Sequence, residues 1–420
     1  MKVFKFGGAS VSTVERIKCL PGIIQNYDTD ELLIIVSAMG KTTNALEHVV
    51  EAFFDKRKGD ALHLFSELKS QHLAVARNLL VSGYPACVEH LNQLFTEVEW
   101  LLHDNPVQTF DYYYDQVVCL GELVSTAIVS HYLNEAGVAN TWLDVRDIIK
   151  TDNNFRDANV SWDLTRRNAT AILNKTRSGI RLCVTQGFIG STDENENTTL
   201  GREGSDYTSA IFSNILDAES LTIWKDVEGV MNADPKKFPA ARLIRELNYE
   251  EVIEMAYYGA QVIHPKTIKP LQNKAIPMHV KCFLNSALPG TVIHSRKLKG
   301  LPPIIVVKEN QALIHLRSED FSFVGEEPMS LLYSWCASIK MRPNLIQTGA
   351  INVRLCLDAK EDKIRQFSER AASIFDVQVE KGLTLLTIRH YDEQILNELT
   401  LGKQIVLLQK TPETIQVLFK

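Results

Sequence analysis

Lys5 stands two residues ahead of a double glycine, in Lys5-Phe6-Gly7-Gly8-Ala9-Ser10. Met1 to Phe6 reads as a short apolar strand. Glycines at its end let the backbone turn sharply and bring bare N–H groups close to a ligand. Ser12-Thr13-Val14-Glu15 has the spacing of a helix capping box, with Ser12 as the cap. Strand, glycine turn and helix start together make an anion site with Lys5 as a point charge at its mouth, and the ligand expected there is a phosphate. A simple tight turn would explain Gly7-Gly8 equally well if it stood alone. A second anion-binding pattern lies in Thr199-Leu200-Gly201-Arg202-Glu203-Gly204-Ser205-Asp206. Arg202, between two glycines, offers a planar fork suited to a carboxylate. Ser205 or Asp206 can cap the helix that continues through Ala210, Ile211 and Leu216, and an aspartate at a helix start stays ionised. Gly121-Glu122 precedes another helical run, where Glu122 either caps the helix or binds a substrate ammonium. Ser37 and Thr43-Asn44 flank the turn after a second strand and can add hydroxyl and amide contacts.

The elements that must carry these residues alternate between apolar runs and helical patterns. Leu32 to Val36 ends in Ser37-Ala38-Met39-Gly40. Arg181 to Gln186 ends in Gly187-Phe188, and Leu221 to Trp224 ends in Lys225-Asp226-Val227-Glu228-Gly229. Continuous apolar strands separated by helices predict an α/β fold, a mostly parallel sheet covered by helices on both faces. Ligands bind such sheets at the carboxyl ends of the strands, where the glycine- and polar-rich turns fall here. Residues from about 43 to 110 read instead as long amphipathic helices, with Phe65, Leu68, His72, Leu73 and Ala76 on one face and a break at Gly83-Tyr84-Pro85. This helical arm is either a lid or a layer packed on the sheet. A boundary falls at Lys299-Gly300-Leu301-Pro302-Pro303. Beyond it a strand at Leu313–Leu316, a helix opened by Pro328, an alternating strand through Ile351, Val353, Leu355 and Leu357, and a helix from Asp362 to Ile374 give a β-α-β-β-α-β rhythm. That rhythm predicts a ferredoxin-like α+β module followed by a shortened second one.

Composition narrows the class. The chain has 420 residues, a formal net charge of −6, 45% hydrophobic and 23% charged residues. It is long for one core, so two or three domains are expected. The net charge and the lack of a basic, aromatic-interleaved tract argue against a nucleic-acid partner. No apolar run reads as a membrane span, and Gly7-Gly8 interrupts any signal-peptide core. The seven cysteines are scattered without a CxxC pair, and the 11 histidines show no ligand spacing. Reduced, buried thiols in the cytoplasm and no dedicated metal site are therefore expected.

Six motifs, in order, carry a resemblance to the aspartate kinase family. They are Lys-Phe-Gly-Gly-Ala-Ser, Ser-Ala-Met-Gly-Lys-Thr-Thr-Asn, Gly-Glu-Leu, Thr-Leu-Gly-Arg-Glu-Gly-Ser-Asp-Tyr-Thr, Trp-Lys-Asp-Val-Glu-Gly-Val and Tyr-Gly-Ala-Gln-Val-Ile-His-Pro. The C-terminal module resembles that family's paired ACT domains. The resemblance implies an amino-acid-kinase catalytic domain over 1–299 and an ACT-type regulatory region over 300–420, the second repeat truncated. With no homoserine dehydrogenase domain after it, the chain resembles a monofunctional member. The implied reaction moves the γ-phosphoryl group of ATP to the side-chain carboxylate of L-aspartate, giving 4-phospho-L-aspartate, the first step toward lysine, threonine and methionine. Mg²⁺ arrives with the ATP. By the same resemblance Lys5 and Asp206 are catalytic, Arg202 holds the α-carboxylate of aspartate and Glu122 its ammonium. Thr43 and Ser205 complete the substrate contacts. ATP is contacted by Lys5, Gly7, Gly8, Ser10, Ser37, Lys225, Asp226, Met231, Lys236, Gln261 and Val262. A homodimer through the ACT regions is implied. Three departures stand out: Gln261 where many relatives have lysine, Met231 where an aromatic residue is frequent, and the segment Asn344 to Ala350. There Asn344, Leu345, Ile346 and Thr348 are the implied regulatory residues, and two carboxylates of lysine-inhibited relatives are missing. Two other readings remain: another enzyme of the amino-acid-kinase fold, and a catalytically silent amino-acid sensor.

Overall fold

The computed structural model describes residues 1–27, 31–176, 181–260 and 262–420. The chain forms two compact units. The first comprises Met1–Val230, Leu243–Ile253 and Val262–Leu298; the second comprises Met231–Arg242, Glu254–Gln261 and Lys299–Lys420.

In the first unit the elements run β1 (Lys2–Phe6), α1 (Val14–Lys18), α2 (Leu20–Gln25), β2 (Leu32–Val36), α3 (Thr42–Phe54), α4 (Lys58–Leu79), α5 (Tyr84–His103), α6 (Phe110–Val118), α7 (Leu120–Glu135) and β3 (Thr141–Leu143). They continue with α8 (Trp162–Thr176), β4 (Leu182–Gln186), β5 (Ile189–Ser191), β6 (Asn197–Thr199), α9 (Gly204–Ile215), β7 (Ser220–Lys225), β8 (Glu246–Asn248), α10 (Tyr249–Tyr258, running into the second unit), α11 (Pro265–Gln272), β9 (Met278–Cys282) and β10 (Thr291–His294). Eight strands form one sheet in the order β3-β4-β2-β1-β7-β9-β10-β8, parallel except for the β9–β10 pair. All five residues of β2 and all five of β4 are buried, which is why both read as unbroken apolar runs. The arm of α3 to α6 is a helical layer. Its helices pack on one another and on α7. Edge-to-face pairs Phe65–Phe95 and Phe53–Tyr113 lie in its core, at 6.0 and 5.1 Å between ring centroids.

Several local expectations are corrected. Thr13, not Ser12, caps α1 by accepting from the Arg16 amide, and a 3₁₀ turn over Gly8–Val11 separates the glycines from the helix. The N-cap of α9 is Glu203 in the left-handed region at φ 53°, so Ser205 and Asp206 lie inside the first turn. One helical stretch, Phe110–Glu135, is long and apolar enough to cross a bilayer, but 83% of its apolar window is buried inside the protein. Its apolarity is spent on the core, because α7 lies between the arm and the sheet.

The second unit is built on β11 (Ile304–Ser318), α12 (Glu326–Ser338), β12 (Leu345–Thr348), β13 (Asn352–Asp358), α13 (Glu361–Ala371), β14 (Phe375–Arg389), α14 (Glu393–Thr400), β15 (Ile405–Lys410) and β16 (Thr414–Phe419). These strands form one antiparallel sheet in the order β12-β13-β11-β14-β16-β15. β11 and β14 are each 15 residues long and pair along their length, with register shifts between Lys308 and Leu313. Asn310 takes a positive φ of 53° there. The shifts divide the sheet into a half with α12 and α13 and a half with α14. Pro328 sits in the first turn of α12 rather than at its start.

Candidate active site

Strand order brings the ends of β1, β2, β4 and β7 side by side, and the chemistry collects there. A cavity of about 570 Å³ is lined by Lys5, Gly8, Ser37, Thr43, Glu122, Arg202, Ser205, Asp206 and Lys225, together with Tyr114, Arg156, Phe188 and Thr199. Gly8 is required by close approach: a Cβ there would meet the Ala38 carbonyl at 2.6 Å, because the turns after β1 and β2 are packed together, with the Gly40 amide donating to the Gly8 carbonyl. Gly201, at φ 76°, would place a Cβ 2.6 Å from Asp157 Oδ1, so the loop carrying Arg202 is pressed on the segment carrying Arg156 and Asp157.

Lys5 Nζ lies 2.7 Å from Asp206 Oδ1, and both side chains are buried. Burial works against the Asp206 charge, but Lys5 and then Lys225 outweigh it and hold the carboxyl below its ordinary range. Lys225 in turn donates to the Val262 carbonyl at 2.7 Å. The pair therefore ties β1 to the first turn of α9, with the Asp206 carboxyl held in its charged form.

The other end of the cavity is different. Glu122, in the first turn of α7, is 3% exposed and accepts from the Ala38 amide at 3.2 Å through Oε1. Its Oε2 is buried with no hydrogen-bond partner among the described residues. Burial pushes its carboxyl up to about 8, opposed by the amides of Ala38 and Glu122 and by Lys5. An unpartnered buried carboxyl oxygen facing a polar cavity calls for a cationic ligand. Arg202 is exposed and has no ion-pair partner among the described residues, which leaves its fork open. Thr43 is half-buried in the first turn of α3.

Other expected contacts fall elsewhere. Gly7 sits beside the Lys5 ammonium, 3.4 Å from where its Cβ would stand. Ser10 is buried and its hydroxyl donates to the Trp224 carbonyl at 3.3 Å, so it braces the turn rather than lining the cavity. Asp226 is exposed beyond β7. Met231 and Lys236 belong to the second unit. Gln261 lies outside the described residues. In the second unit Asn344 receives a hydrogen bond from Lys308 Nζ at 2.7 Å and donates to Gln311 and Asp358. Leu345 is buried in the core, Ile346 is half-buried and Thr348 is exposed.

Tyr114, Arg156, Phe188 and Thr199 were not among the expected site residues. Phe188 follows β4, so the strand-end rule alone could have found it. Thr199 opens the motif that carries Arg202, while Tyr114 and Arg156 reach the cavity through tertiary packing. Asp115, fully buried, accepts from the amides of Arg156 and Thr199 at 2.9 and 2.8 Å and from the Thr199 hydroxyl at 2.8 Å. Burial pushes its carboxyl up to about 6 against those donors.

Glycine turns at parallel strand ends, a buried lysine–aspartate couple and an arginine fork thus meet in one cavity. The model of the amino acid kinase family matches residues 1–282, and the chain belongs to that family. Lysine-sensitive aspartokinase 3 of Escherichia coli (strain K12) is 29% identical over 402 residues, spanning 92% of this chain and 86% of its own length. The chloroplastic bifunctional aspartokinase/homoserine dehydrogenase 1 of Arabidopsis thaliana is 29% identical over 389 residues, which cover 89% of this chain and 42% of the plant protein. The chain thus matches less than half the length of such bifunctional relatives. Among solved structures, E. coli aspartokinase III in complex with aspartate and ADP (R-state) superposes with a TM-score of 0.81 at 26% identity, covering 100% of this chain and 96% of that one.

Proposed function

We propose that this protein is an aspartate kinase, forming 4-phospho-L-aspartate and ADP from L-aspartate and ATP. The observation that carries the reading is the single cavity in which the Lys5–Asp206 couple faces Glu122 and Arg202. The likeness to aspartokinases, one of them solved with aspartate and ADP, supports it.

The chemistry follows from the charges. Arg202 takes the substrate α-carboxylate as a fork. Glu122 gives up its proton when the substrate ammonium arrives and becomes its counter-ion. Thr43 and Ser205 complete the acceptor pocket. The substrate's side-chain carboxylate is already ionised near neutral pH and needs no general base. One of its oxygens attacks the γ-phosphorus of ATP, an O–P bond forms, and the bond from that phosphorus to the β–γ bridging oxygen breaks, leaving ADP. The enzyme's work is positioning and charge neutralisation. Lys5 meets the phosphate charge at the transferred group, the amides of Gly7 and Gly8 cradle the phosphates, and Lys225 adds a second positive charge. Ser37 stands at the same rim, with Asp226 and Val262 assigned to the nucleotide side. Mg²⁺ would arrive with the nucleotide, held mainly by phosphate and water with the buried carboxylate of Asp206 nearby, and would supply charge screening of the phosphate oxygens.

Residues 1–299 form the catalytic domain in this reading and 300–420 the ACT-type regulatory region, which pairs two subunits in a homodimer. The side chain of Asn344 is already engaged by Lys308, Gln311 and Asp358, which supports weak control by lysine. All seven cysteines are free thiols and six are buried, which suits the reducing cytoplasm. ADP release measured with ATP, Mg²⁺ and a panel of amino acids tests the assignment. Turnover with L-aspartate alone of the panel is expected. Turnover with another acceptor, or with none, overturns it.

A further inference from the structure

We propose that Arg156 is a second carboxylate-recognising residue of the acceptor pocket, framing the substrate together with Arg202; this rests on the aspartate kinase reading. Arg156 lines the same cavity as Arg202, Glu122 and Thr43. Its backbone is held at φ 69°, a left-handed conformation that an arginine rarely adopts. Buried Asp115 fixes it there by accepting from its amide at 2.9 Å. Asp115 uses its remaining capacity on Thr199, the start of the strand-to-loop path that leads to Arg202. Strained backbone held by a buried carboxylate is over-determined geometry, of the kind found where a side chain must be aimed.

The guanidinium is aimed in a way that keeps donors free. It lies over the Tyr114 ring at 4.3 Å from the centroid, and Tyr114 is itself a cavity wall. Nη1 reaches Asp111 at 3.1 Å, and Glu47 stands 3.9 Å from Nη2. A guanidinium has five N–H donors, and stacking on an aromatic face uses none of them. The abutting loops at Gly201 and Asp157 bring this second fork to the same end of the cavity as Arg202. Two arginine forks on neighbouring loops match an acceptor with two carboxylates.

Steady-state kinetics with Arg156→Gln, Arg156→Lys and Asp111→Asn tests this. Arg156→Gln is expected to raise the KM for aspartate roughly tenfold or more, the loss of a charge-assisted hydrogen bond, while the KM for ATP stays within about twofold. Arg156→Lys keeps the charge without the fork and is expected to fall between the two, and it carries the test if the glutamine variant does not fold. Asp111→Asn is expected to leave the aspartate KM near wild type. An unchanged aspartate KM in Arg156→Gln overturns the proposal. So does an Asp111→Asn variant that reproduces the Arg156→Gln effect, because Arg156 would then act as a tie between the loop and the arm. If the wild type turns over no aspartate, the functional reading falls on its own. Calorimetric titration of L-aspartate onto wild type and Arg156→Gln then still decides whether Arg156 binds it.

Discussion

The two ends of the cavity solve the same problem in opposite ways. At the end the proposal assigns to phosphate, Lys5 is matched in advance by Asp206 at 2.7 Å, on elements buried in the sheet and α9. At the end the proposal assigns to the acceptor, Glu122 is buried, its Oε2 has no hydrogen-bond partner among the described residues, and Arg202 is exposed with no ion-pair partner among them. One end is complete before ligand arrives; the other takes its missing charges from the ligand. The lesson is that preorganisation is placed where charge develops in the transition state, whereas ligand-supplied charge serves binding and selection.

The largest expected effect strikes the completed end. Lys5→Ala removes the charge aimed at the transferred phosphoryl group and leaves Asp206 buried with only the more distant Lys225. A loss of about 3 kcal/mol or more in transition-state stabilisation is expected, on the scale of deleting one oxyanion-hole donor. A folded Lys5→Ala protein with near-normal kcat would break the comparison. Next come the variants that separate the ends. Asp206→Ala should mainly lower kcat, and Arg202→Ala should mainly raise the KM for aspartate, since losing a uniform binding contact shows in KM. If Arg202→Ala moved the ATP KM and spared that for aspartate, the division of roles would be wrong.

The pH behaviour of Glu122 sharpens the contrast. With its carboxyl near 8 in the empty fold against 4.5 as the ordinary value, the native state keeps a proton that the unfolded chain loses across that window. The unfolded state then binds fewer protons, so this group's contribution to stability falls as pH rises from about 4.5 to about 8 and levels off above. Glu122→Gln should remove that decline, so its stability relative to wild type grows through the window in denaturant titrations. Aspartate binding near pH 7 should release close to one proton, read as a buffer-dependent binding enthalpy. Binding without proton release would mean that Glu122 does not meet the ammonium. The smallest expected effect lies in the second unit: lysine alone should inhibit weakly. Micromolar inhibition that disappears on substitution of Asn344 or Thr348 would reverse this.

The completed end was also the legible one. Lys5, Gly7-Gly8 and Asp206 sit in contiguous strand–turn and turn–helix patterns, so local chemistry and backbone rules suffice. Arg202 was legible for the same reason, between two glycines. Arg156, Tyr114 and Asp115 were not. Their meaning depends on contacts from α6 to the loop at Arg156 and to the end of β6, 41 and 84 positions away, which no local pattern carries. The cap of α1 is not legible because only Ser12 carries the Ser-x-x-Glu spacing, whereas a 3₁₀ turn over Gly8–Val11 moves the helix start to Thr13. The shared sheet of the second unit was hidden for a different reason. The sequence pattern shows a strand only at Leu313–Leu316, but β11 runs from Ile304 to Ser318, with register shifts beside Asn310 at positive φ.

The central claim is transfer of phosphate to an amino-acid carboxylate, and trapping the product with hydroxylamine reads it directly. Wild-type protein with ATP, Mg²⁺ and L-aspartate should yield the aspartyl 4-hydroxamate, identified by mass and regiochemistry, and Lys5→Ala should yield almost none. ADP release without hydroxamate, or hydroxamate from another acid but not from L-aspartate, would contradict it.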